Sequence, residues 1–201
     1  MSAPFVVTAY EPPPPPRKIP VEEYLAAEAV AETKSEYLDG VVRAMPSGSP
    51  RHLFIEAQLN MMVGNRLGGG KGGCVYLNGN VQIVIPGLRT YVYPDGAIAC
   101  PPGFAGKPRG ALINPKVVFE VLPPRSTEGY DRGPKFRRYR DLETLKDYVL
   151  IDTSDPLIEV FSRPEWGPKT YEGLDAVALV PSVGIELPLN DLYALALTFP
   201  E

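Results

Sequence analysis

The stretch KVVFEVL at residues 116–122 constrains the fold of this chain more than any other. Most of its residues are apolar and three are β-branched valines, a composition that predicts a buried strand. One carboxylate, Glu120, lies within it, and strand alternation places that side chain on the same face as Val118 and Leu122. An ionised carboxylate is costly to bury unless it is paired or holds a metal ion. The sequence therefore predicts a central strand whose acidic residue has a partner.

A second carboxylate, Asp95, precedes Glu120 by 25 residues and ends the run TYVYPD. If the two runs form neighbouring strands, the two carboxylates can share one hard cation. Mg²⁺ prefers oxygen ligands and commonly takes one or two carboxylates together with phosphate oxygens. Pro-Asp-Gly is also an ordinary turn sequence, so turn formation is the alternative role for Asp95. The presence of Glu120 in its apolar strand favours the metal site.

The composition predicts one globular domain with an apolar core, because the 201 residues are 44% hydrophobic. No run of about 18 apolar residues occurs, and the N-terminus lacks the pattern of a secretory signal. Two cysteines are too few for a disulfide framework. We therefore expect a cytoplasmic protein without a membrane partner, in which Cys74 and Cys100 are separate, small apolar residues.

The net charge of −4 argues against general coating of nucleic acid, which needs excess positive charge. The net charge of residues 125–140 differs from that of the whole chain. This segment contains six basic and two acidic residues, for a net charge of +4. A solvated helix face and a surface that steers phosphate towards the carboxylates both explain this cluster. Its basic members are Arg125, Arg132, Lys135, Arg137, Arg138 and Arg140.

The N-terminal part of the chain divides into a tail and the start of a folded domain. Residues 1–19 contain EPPPPPRK and are predicted to be an extended, flexible tail, with a ligand for a proline-binding module as the alternative. Residues 20–201 are predicted to form the domain. It begins with a helix over residues 20–33, in which Pro20 takes the first position. The inner face of that helix is predicted to carry Val21, Tyr24, Leu25 and Ala29.

Turn signals divide the remaining chain into short elements. Asp39-Gly40 predicts a tight hairpin, and residues 50–67 carry a helical pattern. The GGGKGG run at residues 68–73 predicts a helix stop and not a phosphate loop, because it follows a helix and Lys71 precedes glycine. VYLNGNVQIVIPG predicts two strands or one interrupted strand. The segments predicted to extend the sheet lie at residues 146–152, 157–163, 169–173 and 176–180, and LPLNDLYALAL closes with a helical turn.

An ordered set of segments resembles a known family: ETKSEYLDG, SPRH, YPD, FEVL, ST, YDRGPKFRRYR, DYVLID and IEVFSR. Over residues 20–190 this set is similar to the Uma-type restriction endonuclease family within the PD-(D/E)XK nuclease superfamily. The resemblance implies an α/β fold of the restriction-endonuclease-like type, with a mixed sheet flanked by helices and extra C-terminal strands. We expect the helices at residues 20–33 and 50–67 to cover one face. The helix near Lys135 is expected on the other face or at the end of the site.

The resemblance also implies roles for individual residues. Asp95 and Glu120 would hold Mg²⁺, with Mn²⁺ as a substitute, and Glu36 is favoured over Glu32 as an additional acidic residue. A surface carboxylate that pairs with Lys34 is the alternative for Glu36. His52, the one histidine, would face the site and bind substrate, or else make a local hydrogen bond in the first turn of its helix.

The superfamily places a lysine two residues after the glutamate, where this chain has Leu122. Lys135 is the best replacement, and Pro134 is expected at the first position of a helix that puts Lys135 in its first turn. Tyr139, four residues further on, would help to position phosphate. Arg132 and Arg138 are candidates for substrate binding and for supplying the cation, and a solvated surface lysine is the alternative for Lys135.

Together these observations predict a Mg²⁺-dependent endonuclease that hydrolyses DNA phosphodiester bonds. The missing strand lysine motivates a competing hypothesis, in which a nuclease fold without catalysis binds DNA or a protein partner. Superfamily members that cut both strands often pair, so the resemblance also raises a homodimer.

Overall fold

The computed structural model describes residues 17–45, 47–87, 89–106, 110–122 and 128–199. In this part of the chain the strands form two six-stranded sheets and one two-stranded sheet. Most of the predicted N-terminal tail, residues 1–16, lies outside the described residues. The described end of the tail contacts the domain, because the Ile19 N–H donates to the Gly40 carbonyl at 2.8 Å.

The first sheet lies against the N-terminal helix α1 (Val21–Val30). Within it, β1 (Ser35–Leu38) pairs with β5 (Thr90–Val92), and the hairpin of β1 and β2 (Val41–Ala44) turns at Asp39 and Gly40, both at positive φ, as the sequence predicted. The Tyr24 ring of α1 stacks on Tyr37 of β1 at 4.9 Å. The order along this sheet is β2 (Val41–Ala44), β1 (Ser35–Leu38), β5 (Thr90–Val92), β4 (Ile83–Ile85), β8 (Ala111–Leu112) and β7 (Phe104–Ala105).

The second sheet is built around β9 (Val117–Leu122), the strand predicted from KVVFEVL, and all six residues of β9 are buried. This strand pairs in parallel with β10 (Asp147–Asp152) and antiparallel with β6 (Gly96–Ala99). The order along this sheet is β12 (Pro168–Glu172), β11 (Leu157–Ser162), β10 (Asp147–Asp152), β9 (Val117–Leu122), β6 (Gly96–Ala99) and β3 (Val75–Asn78).

Two helical elements cover opposite faces of the second sheet. Helix α2 (Pro50–Arg66) starts at the N-cap Ser49 and packs Ile55 and Leu59 on the face of Phe119 and Val121. Complete burial of such side chains contributes about 1.5–3 kcal/mol each. The opposite face carries Glu120, and a continuous helical segment covers it. This segment comprises α3 (Glu128–Tyr130), a π-helical turn (Asp131–Lys135) and α4 (Phe136–Tyr139).

The structure corrects the predicted start of this helical segment. Pro134 lies inside it and not at its first position, so Lys135 is not in a first turn. The wider π turn accommodates a residue that has no N–H to donate. The position of Lys135 is therefore set by packing on the second sheet and not by the end of a helix.

The arrangement of the elements also differs from the prediction in three ways. The chain builds two six-stranded sheets where one mixed sheet was expected, because β3 and β4 separate into different sheets. Helix α1 consequently packs on the first sheet, not beside α2, and its buried residues are Tyr24 and Glu28. The sequence missed β14 (Ile185–Pro188), which pairs with β13 (Val177–Val180), so β13 does not extend the main sheet. The predicted C-terminal helical turn is α5 (Leu189–Tyr193).

The prediction that the two cysteines are separate is wrong. Cys74 and Cys100 form a disulfide, with their Cα atoms 4.0 Å apart. The disulfide is explained by the antiparallel pairing of Val75 in β3 with Ala99 in β6. This pairing places Cys74, just before β3, opposite Cys100, just after β6. The expectation of a cytoplasmic protein rested in part on separate thiols, and the cysteines no longer support it. No helix in the described residues is both long and apolar enough to cross a membrane.

Candidate active site

The sequence-predicted carboxylates meet at a cavity of about 140 Å³ between the two sheets. The hairpin of β1 and β2, the start of α2, the link before β6, the end of β9 and the helical segment all contribute to its walls. Its charged and polar lining includes Glu36, Arg43, Ser47, Ser49, His52, Asp95, Glu120, Tyr130, Asp131 and Lys135.

Asp95 lies where the chain crosses from the first sheet to the second, and the backbone of β9 fixes its position. The Asp95 N–H donates to the Phe119 carbonyl at 3.1 Å, and Asp95 Oδ2 accepts from the Val121 N–H at 2.6 Å. The Asp95 carboxylate thus accepts the hydrogen bond that a neighbouring strand would otherwise accept from the Val121 N–H, at the residue next to Glu120. This is the convergence of Asp95 and Glu120 on one site that the sequence predicted.

His52 holds the other oxygen of Asp95. Its Nε2 lies 3.1 Å from Asp95 Oδ1. Burial disfavours the imidazolium, but the hydrogen bond to Asp95 and the negative charge of that residue outweigh it and raise the pKa of His52. The site-facing alternative for His52 is therefore the one that the structure shows, and its contact is with Asp95.

Lys135 is buried in the wall of the cavity, where its ammonium group bridges several acceptors. Its Nζ lies 2.9 and 3.0 Å from the two Glu120 oxygens, 3.1 Å from Glu36 Oε1 and 3.6 Å from Asp131 Oδ1. It also donates to the Tyr93 carbonyl at 3.0 Å. The solvated-surface alternative for Lys135 is wrong, since only 3% of the residue is exposed.

The charges of this cluster do not balance. Burial raises the pKa of Glu120, although Lys135 opposes the shift. Burial alone would lower the pKa of Lys135, but Glu120, Glu36 and Asp131 together raise it well above its ordinary value. One ammonium group is thus shared by three carboxyl groups, and the burial that raises the pKa of Glu120 disfavours its negative charge unless a cation offsets it.

Glu36 belongs to the same cluster, as the sequence predicted. One oxygen accepts from the Tyr93 N–H at 3.2 Å, and the other accepts from the Tyr130 hydroxyl at 2.8 Å. It does not pair with Lys34, whose ammonium group donates to the Gly79 carbonyl. Glu32, the other candidate, is exposed.

Three predicted substrate-binding residues lie elsewhere. Arg132 forms an ion pair with Glu159 of β11. Arg138 contacts Asp39 and donates to Thr90 Oγ1 at 3.1 Å. Tyr139 is fully buried in the core, 5.7 Å from the Tyr148 ring. None of the three lines the cavity, and Arg125 lies outside the described residues.

Sequence reasoning missed Asp131, Tyr93, Tyr130 and Arg43 as residues of this region. Asp131 could have been found from its spacing, because residues four apart on a helix are neighbours and Asp131 precedes Lys135 by four positions. The main chain of Tyr93 contacts both Glu36 and Lys135, which no side-chain pattern could indicate. Tyr130 of the helical segment and Arg43 of β2 come together only because elements that are distant in the chain pack against each other.

The donors in this cavity fit a hard divalent cation. Asp95 and Glu120 supply carboxylate oxygens, and the buried Glu120 Oε1 makes no hydrogen bond of good geometry despite its nearby ammonium group. In the described part of the chain no group of three or more histidine, cysteine, aspartate or glutamate residues is arranged to hold a metal. A cation here would therefore rely on two carboxylates plus other oxygens, the pattern usual for Mg²⁺ at a phosphate.

Comparison with known proteins gives a family and a fold. A model of the Uma2 family, described as "Putative restriction endonuclease", matches residues 21–190. The Synechocystis sp. protein slr1290 is 34% identical over 188 residues, covering 92% of this chain and 96% of that protein. A second Synechocystis protein, sll1609, is 30% identical over 131 residues, covering 65% of this chain and 72% of its own length.

A solved structure also matches. The crystal structure of a putative nuclease belonging to DUF820 from Anabaena variabilis aligns with a TM-score of 0.72 at 17% identity. The match covers 89% of this chain and 99% of that one. It confirms the predicted α/β fold of sheets flanked by helices.

Proposed function

The chain belongs to the Uma2 family, and on that premise we propose that it is a metal-dependent endonuclease that hydrolyses DNA phosphodiester bonds. The observation that carries the proposal is the buried Lys135 ammonium group held against Glu120, in a cavity that Asp95 also lines. Two carboxylates and one cation at a shared cavity can supply a metal site and charge stabilisation for phosphodiester hydrolysis.

Asp95 and Glu120 would hold Mg²⁺ or Mn²⁺. The bound ion would supply Lewis-acid chemistry and lower the pKa of a coordinated water. Asp95 is prepared for this role because the Val121 N–H and His52 fix both of its oxygens before any ligand arrives. Preorganisation of this kind keeps the carboxylate from having to reorient during the reaction.

Lys135 would stabilise the negative charge that develops on the scissile phosphate. It takes the place of the lysine that Leu122 does not supply, and it comes to Glu120 from the covering helical segment. Glu36 and Asp131 keep the ammonium group charged and limit its movement, since both lie against its Nζ. Glu36 would also position the attacking water.

A single cavity of this kind cuts one strand at a time. We therefore include a homodimer in the proposal, in which two copies cut the two strands of a duplex.

A supercoiled plasmid incubated with the full chain tests the proposal. We expect nicked and linear products in Mg²⁺ or Mn²⁺ and intact plasmid in EDTA. Linear product that rises with the square of protein concentration would support the homodimer. Plasmid that stays intact in either metal, together with a gel shift of the same DNA, would replace the nuclease with the non-catalytic binding module.

A further inference from the structure

Arg43 of β2 points towards the cavity because of the register of the first hairpin. It lies directly opposite Glu36 in the antiparallel pairing of β1 and β2. Directly opposed residues of two paired strands project from the same face of a sheet. Since Glu36 faces the cavity, Arg43 faces it as well, and both residues line it. Glu36 is buried there, whereas Arg43 is exposed at the edge strand.

Tyr130 of the helical segment holds Arg43 in place. The guanidinium carbon lies 4.0 Å from the centre of the Tyr130 ring. The hydroxyl of the same ring donates to Glu36 at 2.8 Å. Tyr130 therefore contacts both residues, and its ring orients the guanidinium group by a cation–π contact. The planar donors of Arg43 remain available at the cavity rim.

The other basic residues of the region are already engaged. Lys135 is enclosed by carboxylates, Arg132 pairs with Glu159, and Arg138 contacts Asp39. Within the described ranges, Arg43 forms no hydrogen bond and no ion pair, and its guanidinium group makes a cation–π contact with the Tyr130 ring.

The acidic lining of the cavity favours a basic residue at its rim. Its lining holds four carboxylates (Glu36, Asp95, Glu120 and Asp131) and, apart from His52, the cations Lys135 and Arg43. A phosphodiester approaching four carboxylates is repelled unless cations offset them. Arg43 stands at the exposed side, where a phosphate arrives first, and its planar guanidinium suits bidentate contact with phosphate oxygens.

We propose that Arg43 is a substrate-binding residue that clamps a DNA backbone phosphate at the rim of the cavity, oriented by the ring of Tyr130. This inference rests on the proposed function, because it takes DNA as the ligand of the same site. The contacted phosphate neighbours the one that is cut, since the guanidinium lies at the rim and Lys135 lies in the wall.

The test measures binding separately from cleavage. A fluorescently labelled duplex is titrated with the full chain in Ca²⁺, a hard cation with the same preference for oxygen ligands, at several salt concentrations, and a gel verifies that the duplex is intact. Arg43→Ala should weaken binding about tenfold, the loss of one charge-assisted contact. The slope of log K against log salt should fall by about 0.9, the value for one phosphate contact.

Matched variants separate this contact from general charge and from folding. Arg66→Ala removes the same charge at the far end of α2, about 20 Å along the helix from His52, and should bind as the wild type does. Tyr130→Phe keeps the ring under Arg43 and removes only the hydroxyl that donates to Glu36, so it should lose less affinity than Tyr130→Leu. Tyr130→Leu removes the ring and should lose affinity as Arg43→Ala does. Arg43→Ala should melt within a few degrees of the wild type, because the side chain is exposed.

Each outcome separates this inference from the proposed function. Wild-type affinity and salt slope in Arg43→Ala, with plasmid cleavage intact in the wild type, would overturn the clamp and leave the nuclease in place. Arg43-dependent binding without any cleavage in Mg²⁺ or Mn²⁺ would overturn the nuclease and leave the clamp in place. A wild type that binds no duplex at low salt, or that binds single-stranded RNA more tightly through Arg43, would overturn DNA as the ligand.

Discussion

The Lys135 ammonium group lies 3.0 Å from Glu120 Oε2, although one residue lies on a helical turn and the other on a β-strand. Glu120 is placed by a buried strand, and Lys135 by a π-helical turn that crosses the face of that strand. A lysine two residues after Glu120 would project from the same strand. Here the covering helical segment supplies the cation to the same carboxylate.

Lys135→Ala should reduce plasmid nicking by orders of magnitude. The variant leaves Glu36, Glu120 and Asp131 buried without their shared cation, so we also expect a loss of about 3–5 kcal/mol in stability. In a domain of this size that corresponds to a fall of roughly 10 °C in the Tm. Cleavage is therefore assayed well below the new Tm, and Mn²⁺ binding by calorimetry should remain.

Arg132→Ala is the control for this prediction. Its guanidinium pairs with Glu159 away from the cavity, so nicking should stay near the wild-type rate. A Lys135→Ala variant that cuts normally, beside an inactive Arg132→Ala variant, would transfer the role to Arg132.

Asp95→Asn and Glu120→Gln should each abolish Mg²⁺-dependent nicking. Each change removes the charge of one metal-binding carboxylate and retains an oxygen that accepts hydrogen bonds, so the Tm should move by only a few degrees. Calorimetry with Mn²⁺ should show binding to the wild type and little to either variant. Glu186→Gln, which alters an exposed carboxylate on β14, is the control. Full cleavage in either site variant would contradict the two-carboxylate site.

Glu36→Gln should weaken nicking less than Asp95→Asn does. The glutamine oxygen can still accept from the Tyr93 N–H, and the ion pair that is lost is with Lys135. We expect a measurable residual rate in single-turnover cleavage. A rate as low as that of Asp95→Asn would move Glu36 from a supporting position to an essential one.

Replacing both cysteines should lower the stability of the protein. The disulfide closes a loop between residues 26 positions apart, and the chain-entropy contribution of such a link is about 3–4 kcal/mol. Cys74→Ser combined with Cys100→Ser should therefore melt at a lower temperature in thermal denaturation. Reductant should lower the wild-type Tm and leave the double variant unchanged. Titration of two free thiols in denatured, unreduced protein would show that the link is absent.

The sequence by itself determined the local features of this protein. The alternation of β9 placed Glu120 on the face of Val118 and Leu122, and the Asp39-Gly40 turn fixed the first hairpin. The spacing of apolar residues located α2, and the ordered motifs gave the family. These signals are local, because strand period, helix period and turn chemistry depend on residues that are close in the chain.

Only the tertiary structure decided which distant residues meet. The main chain of Tyr93 joins Glu36 to Lys135, Tyr130 contacts both Arg43 and Glu36, and Arg132 and Arg138 are engaged outside the cavity. The disulfide likewise depends on the pairing of β3 with β6. Sheet register and the crossings between the two sheets set these contacts, and no periodicity in the sequence encodes either. The sequence therefore identified the principal carboxylates and the lysine, whereas long-range packing selected the partners that orient them.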